Sequence, residues 1–80
     1  MMVDLKEILL DLARAIVDHP DDVVVVEQEE KNEVTLTLSV HADDMGMVIG
    51  RHGRIAKAIR SVMKAAAGNC GKKVNVEIKD

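Results

Sequence analysis

Gly50 and Gly53 bracket Arg51 and His52, and Arg54 and Lys57 follow directly. This spacing has a chemistry of its own. At the mouth of a helix the first backbone N–H groups have no partner in a preceding turn, and the helix dipole adds partial positive charge there. A phosphate oxygen accepts from such groups directly. Glycines remove the Cβ atoms that would hold a phosphodiester away, and Arg51, His52 and Arg54 add donors beside them. The same four residues also serve as a tight connector between two helices, with the basic side chains solvated. The turn taken alone admits both readings.

Other anion motifs do not fit. A nucleotide P-loop needs four residues between its glycines, followed by Lys and Ser or Thr. A dinucleotide fingerprint would place its first glycine at Val48, and no strand immediately precedes that position. No catalytic constellation stands out: His19, His41 and His52 fall on different elements, and no Ser or Cys is spaced to a base as a nucleophile would be. Asp43-Asp44 offers carboxylates to a metal, but it stands just before a helical piece and reads as its cap. Cys70, the single cysteine, can form neither an internal disulfide nor a zinc site by itself. It reads as a small neutral loop residue open to oxidation. The expectation is a protein without enzymatic activity, cofactor or metal.

Several elements must hold the glycine turn in place. Asp4 to Asp18 carries Leu5, Ile8, Leu9, Leu12 and Ile16 at three- and four-residue spacing, the apolar face of a helix. Asp4 with Glu7 three residues on makes an N-terminal cap, and His19-Pro20-Asp21 ends the helix. Val23 to Glu29 is a β-branched run that favours extended structure. After the polar turn 30–33, Val34, Leu36, Leu38 and Val40 alternate with Thr35, Thr37 and Ser39. The two runs predict an antiparallel hairpin with one apolar and one polar face. Met45 to Ile49 gives about one helical turn before Gly50. Arg54 to Ala67 is a long helix, with Gly68 suited to a left-handed C-terminal cap. Val74, Val76 and Ile78 then alternate with Asn75, Glu77 and Lys79 as a last strand.

In projection, Ile55, Ile59, Val62 and Ala66 centre the apolar arc of the long helix, widened by Ala56, Met63 and Ala67 on one side and Ala58 and Ala65 on the other. Arg54, Lys57, Arg60 and Lys64 lie opposite. The arc spans more of the circumference than a single core contact requires, which points to a homodimer contact through the helix Arg54–Ala67 around Val62 and Met63.

The order helix, strand, strand, helix, helix, strand describes one α+β domain over residues 1–80, a three-stranded sheet with helices on one face. Eighty residues bury a thin core. Net charge is −3, but it is unevenly spread: residues 1–44 hold three basic and twelve acidic side chains, and residues 45–80 hold eight basic and two acidic. Such asymmetry fits a half that faces a polyanion and a half that repels it. Phe, Tyr and Trp are absent, which argues against recognition by aromatic base stacking. The acidic and basic residues in the N-terminal apolar stretch argue against a signal peptide or membrane span, and the lone cysteine fits a reducing cytoplasm.

The stretch Val48-Ile49-Gly50-Arg51-His52-Gly53-Arg54-Ile55-Ala56-Lys57-Ala58-Ile59 resembles the signature of the KH domain, V-I-G-x-x-G-x-x-I, without a departure. The element order α-β-β-α-α-β is similar to that family's type II arrangement. Length and motif together resemble the small bacterial single-KH-domain RNA-binding proteins of the KhpA family. The resemblance implies single-stranded RNA as ligand, about four nucleotides per domain clamped by the loop, with low sequence specificity. It implies a backbone path over Gly50, Arg51, His52 and Gly53, and an apolar groove between the two central helices and a sheet edge. Ile49 and Ile55 would be its walls, Gly46 would permit close approach, and Arg54 and Lys57 would contact phosphates. Arg60 and Lys64, further along, read as solvated. The family also implies self-association and a larger KH-containing partner, with work as a post-transcriptional regulator or RNA chaperone. The rival reading is a protein-interaction module on the same scaffold, with RNA binding secondary.

Overall fold

The computed structural model describes residues 4–68 and 71–80. Three helices and three strands follow in the expected order: α1 (Leu5–Ile16), β1 (Val24–Glu29), β2 (Glu33–Ser39), α2 (Met45–Ile49), α3 (Arg54–Ala67) and β3 (Lys73–Lys79). Short 3₁₀ turns at Pro20–Asp22, Ala42–Asp44 and Arg51–Gly53 link them. The expectation for Cys70 lies outside the described residues.

Helix α1 starts where its cap predicts: Asp4 Oδ1 accepts from the Glu7 amide at 3.2 Å. It buries Leu5, Leu9, Leu10 and Ala13, while Ile16 at its end is exposed. β1 and β2 pair antiparallel, Val25 beside Leu38 and Glu29 beside Val34. The Glu30 amide donates to the Glu33 carbonyl at 2.7 Å and closes the hairpin. The third strand adds parallel to β2, Val34 beside Val74 and Leu38 beside Ile78, so the sheet order is β1-β2-β3. Parallel neighbours need a crossover connection, and α2, the glycine turn and α3 supply it.

Val25, Val34, Leu36, Leu38, Val74 and Val76 point from the sheet into one core with Leu9, Ala13, Val48, Ile59 and Met63. The other sheet face is polar on β2 and β3. On β1 it is not: Val24 is 52% exposed and Val26 51%. The hairpin therefore keeps two valines on the face expected to be polar.

Helix α3 is rotated relative to the projected arc. Ala56, Ile59 and Met63 are buried, and Ile55 and Val62 are exposed. Met63 is a core residue with no exposed surface, so a homodimer contact cannot use it, whereas Val62 remains available. Alanines on both flanks widened the arc without saying which part faces the sheet. Gly68 has the positive φ expected of a C-terminal cap, but with ψ −122° it lies outside the left-handed helical region.

The capping expectation at Asp43-Asp44 is also corrected. No side chain caps α2; His41 caps the 3₁₀ turn before it, its Nδ1 accepting from the Asp43 amide at 3.0 Å. Asp44 occupies the position before α2 but makes no side-chain cap bond. Its carboxylate turns inward, 1% exposed, and Oδ2 accepts from the His19 amide at 2.9 Å and sits 3.0 Å from His19 Nδ1. The His19 and His41 rings stack at 4.0 Å. Burial pushes the Asp44 carboxyl up, but the hydrogen bonds from the His19 ring and amide outweigh it and hold it below its ordinary value. The same hydrogen bond, donated by the His19 ring to the Asp44 carboxylate, outweighs desolvation and raises His19. The segment after α1 is thereby pinned to the start of α2, five residues ahead of the glycine turn.

Candidate nucleic-acid interface

The turn from α2 into α3 is built by its glycines. Gly50 has φ +74° and its amide donates to the Gly46 carbonyl at 2.9 Å. A Cβ on Gly50 would lie 2.6 Å from Ile55 Cγ1, so both the backbone and the packing of Ile55 demand glycine. Gly53 has φ +73° and its amide donates to the Gly50 carbonyl at 3.1 Å. Between them His52 is held at φ +57°, the one non-glycine residue with positive φ among those described. A side chain in that region costs on the order of 1 kcal/mol.

The loop presents cations to solvent. Arg51, His52, Arg54 and Lys57 are all exposed, and the nearest acidic residues in sequence are Asp44 and Glu77. α3 starts at Arg54 with no side-chain cap, which leaves the positive end of its dipole under the loop. Ile49 and Ile55 flank the loop, 38% and 36% exposed. Gly46 differs from the loop glycines. It lies inside α2, and a Cβ there would meet nothing within 4 Å, so the protein's own packing does not account for it.

Arg54, Lys57, Arg60 and Lys64 recur at three- and four-residue spacing and form one stripe along α3. The stripe runs from the loop to a groove of about 560 Å³ beside α3 and β3, lined by Arg60, Lys64 and Lys73 and also by the carboxylates of Glu33 and Glu77. The Arg60 Nε donates to the Val76 carbonyl at 3.2 Å, satisfying a group on that edge. A smaller hollow of about 260 Å³ continues it past Lys64, Lys72 and Lys73.

The structure thus brings Gly50, Arg51, His52, Gly53, Arg54 and Ile55 together at one end of α3, with Ile49 and Gly46 on the turn before and Lys57 on the turn after. It also draws in Arg60 and Lys64, which sequence reasoning left as solvated. Their spacing from Arg54 and Lys57 was the available signal; the position of β3 was not. This groove lies beside α3 and β3 and its lining is largely polar. Among the described residues no group of His, Cys, Asp or Glu is placed to hold a metal ion, and no described helix is long and apolar enough to cross a membrane.

The profile of the KhpA/KhpB KH-domain family matches residues 6–78. This chain belongs to that family. A protein named RNA-binding protein KhpA from Halalkalibacterium halodurans is 49% identical over 76 residues, covering 95% of this chain and all of the relative. Others of that name are 51% identical in Clostridium perfringens, covering 92% of this chain and 99% of the relative, and 45% in Bacillus subtilis, covering 95% and 94%. Among solved structures, Era from Aquifex aeolicus bound to GDP·AlF4− superposes with a TM-score of 0.68 at 19% identity, over 92% of this chain and 29% of that one. Era in complex with MgGDPNP and nucleotides of 16S ribosomal RNA gives 0.69 at 19% identity, over 92% of this chain and 28% of that one. The chain spans under a third of either, and at such identity the likeness establishes the fold, a type II KH arrangement.

Proposed function

We propose that the chain binds single-stranded RNA without catalysis, holding the sugar–phosphate backbone over Gly50-Arg51-His52-Gly53. The observation that carries this is the loop itself: two glycines at positive φ, exposed Arg51, His52, Arg54 and Lys57, and an uncapped helix start, with no carboxylate nearby in sequence. The names of the relatives support the same ligand. The strand continues along the cationic stripe of α3 into the groove beside β3. Ile49 and Ile55 give apolar contact to bases. Gly46 lets the strand come close, which explains a helical glycine that internal packing does not require.

Most contacts go to phosphate, so affinity falls with salt and sequence preference is low. One domain holds about four nucleotides and binds weakly by itself. Two domains joined through the exposed face of α3 around Val62 bind with greater avidity, and a larger KH-containing protein is the alternative partner. Such a protein works in the cytoplasm as a post-transcriptional regulator or RNA chaperone.

The test is the double change Arg51→Asp with His52→Asp, read by fluorescence anisotropy with a labelled single-stranded RNA. Affinity is expected to drop by about 100-fold or more, with the far-ultraviolet circular dichroism unchanged. Retained affinity in a folded double variant would remove the loop from the site.

A further inference from the structure

We propose that the free edge of β1 takes up an extended segment of another protein, with apolar residues alternating with lysine or arginine. This surface is separate from the RNA site and does not depend on it. The closing bond of the hairpin, from the Glu30 amide to the Glu33 carbonyl, fixes which backbone groups face which way. In an antiparallel ladder hydrogen-bonded pairs alternate with non-bonded ones. Stepping back by twos from Glu30–Glu33 makes Gln28–Thr35, Val26–Thr37 and Val24–Ser39 the bonded pairs. Val25, Glu27 and Glu29 therefore direct their N–H and C=O groups away from β2. Among the described residues no strand lies beyond β1.

Unpaired edges are commonly blunted with lysine, proline or a bulge. β1 has none of these along Val24–Glu29; its protection against like chains is the carboxylates of Glu27 and Glu29. Beside this edge Val24 and Val26 stand half exposed on the outer sheet face. The helix-side face of the edge carries Glu27 and Glu29, Glu29 already bonded to Lys72 at 2.8 Å. Asp21 and Asp22 lie before the strand and Glu30 after it, all exposed. A strand added here meets valines with one set of alternate side chains and carboxylates with the other. Strand addition supplies main-chain bonds, and the alternate side chains supply selectivity.

Charge excludes a second copy of this chain as the occupant. An antiparallel pair centred on Val25 sets Glu29 against Asp21 of the second copy. Centring it on Val26 sets Glu30 against Asp22, and on Glu27 it sets that residue against itself. Like charges directly opposite destabilise a pair of strands. A basic strand meets complementary charge in each of these registers.

The probe is a phage-displayed random heptapeptide library panned on the full chain. Peptides with Val, Ile or Thr alternating with Lys or Arg are expected to be enriched. They are expected to bind Glu27→Pro at least about tenfold more weakly. Proline at position 27 removes an outward N–H and spares the β2 ladder, the edge setting in which strands tolerate it. Val26→Lys, an exposed change that keeps every backbone group, should weaken the same peptides and reports if the proline variant fails to fold. Panning that yields no enriched peptides, or peptides lacking basic residues, overturns the proposal. So do peptides that bind both variants as tightly as the parent, and a dimer in sedimentation that Glu27→Pro dissociates.

Discussion

The two edges of this sheet are opposites. At the β3 edge, α3 lies alongside, Arg60 reaches across to the Val76 carbonyl, and Lys64 and Lys73 line a groove. At the β1 edge the backbone groups of Val25, Glu27 and Glu29 are open, and the surrounding charge is acidic. The contrast originates in the sequence, where the first half is acidic and the second basic. Topology turns a division along the chain into a division across space. Because β3 joins on the far side of β2 from β1, most of the basic side chains lie toward one edge and most of the acidic ones toward the other, although Glu33 and Glu77 line the β3 groove and Lys72 reaches Glu29. A polyanion at the β1 edge would meet like charge.

The comparison can be broken most severely at Gly50. Gly50→Ala places a Cβ against Ile55 and forces a positive φ on alanine, so a stability loss of about 2–4 kcal/mol is expected in urea unfolding, together with loss of RNA binding. Peptide capture at β1 should survive under conditions where the variant remains folded. Next in size is Arg60→Ala with Lys64→Ala. It should lower RNA affinity by about tenfold and flatten its salt dependence by about two phosphate contacts. No change in the salt slope would mean the strand leaves α3 before the groove. Gly46→Ala should act in two directions at once. Helix propensity stabilises the fold by about 0.5–1 kcal/mol, while the added methyl group weakens RNA binding by a few fold; a variant that gains stability and keeps full affinity would show that nothing approaches that glycine.

The smallest effect concerns pH. His19 titrates above its ordinary 6.5, so its pairing with Asp44 stabilises the fold fully below that value and loses this contribution as pH rises through the raised value. Asp44 titrates below its ordinary 3.8, so its contribution is present above that value and is lost as pH falls through the lowered one. The melting temperature should therefore be highest between about pH 4 and pH 6.5. His19→Ala should remove the decline on the alkaline side. A parent protein whose melting temperature is flat from pH 5 to pH 8 would contradict the pairing.

Much of this was legible in the chain, and the parts that were not share a cause. The limits of α3, the cap at Asp4, the hairpin and the Gly50–Gly53 turn depend on residues close in sequence, and local pattern sufficed. The rotation of α3 does not, because an arc flanked by alanines is satisfied by several orientations and β3 selects one. Asp44 carries the residue type of a cap, and only His19, distant in sequence, makes it a buried acceptor. Arg60 and Lys64 are exposed, as their pattern suggested, but the bond from Arg60 to Val76 depends on the parallel strand beside it. The glycine turn and its exposed cations were readable; the groove beside β3 required the fold.

That parallel strand also sets an order of assembly. β1 and β2 are joined by a short turn and can pair as soon as both exist, whereas β3 pairs with β2 only after α2, the loop and α3 have closed a long crossover. Such a closure is slow, because chain entropy is lost before the contacts that reward it form. On a chain emerging from synthesis, both strands of the hairpin are therefore present before β3, and the acidic half can pair before the basic half is complete.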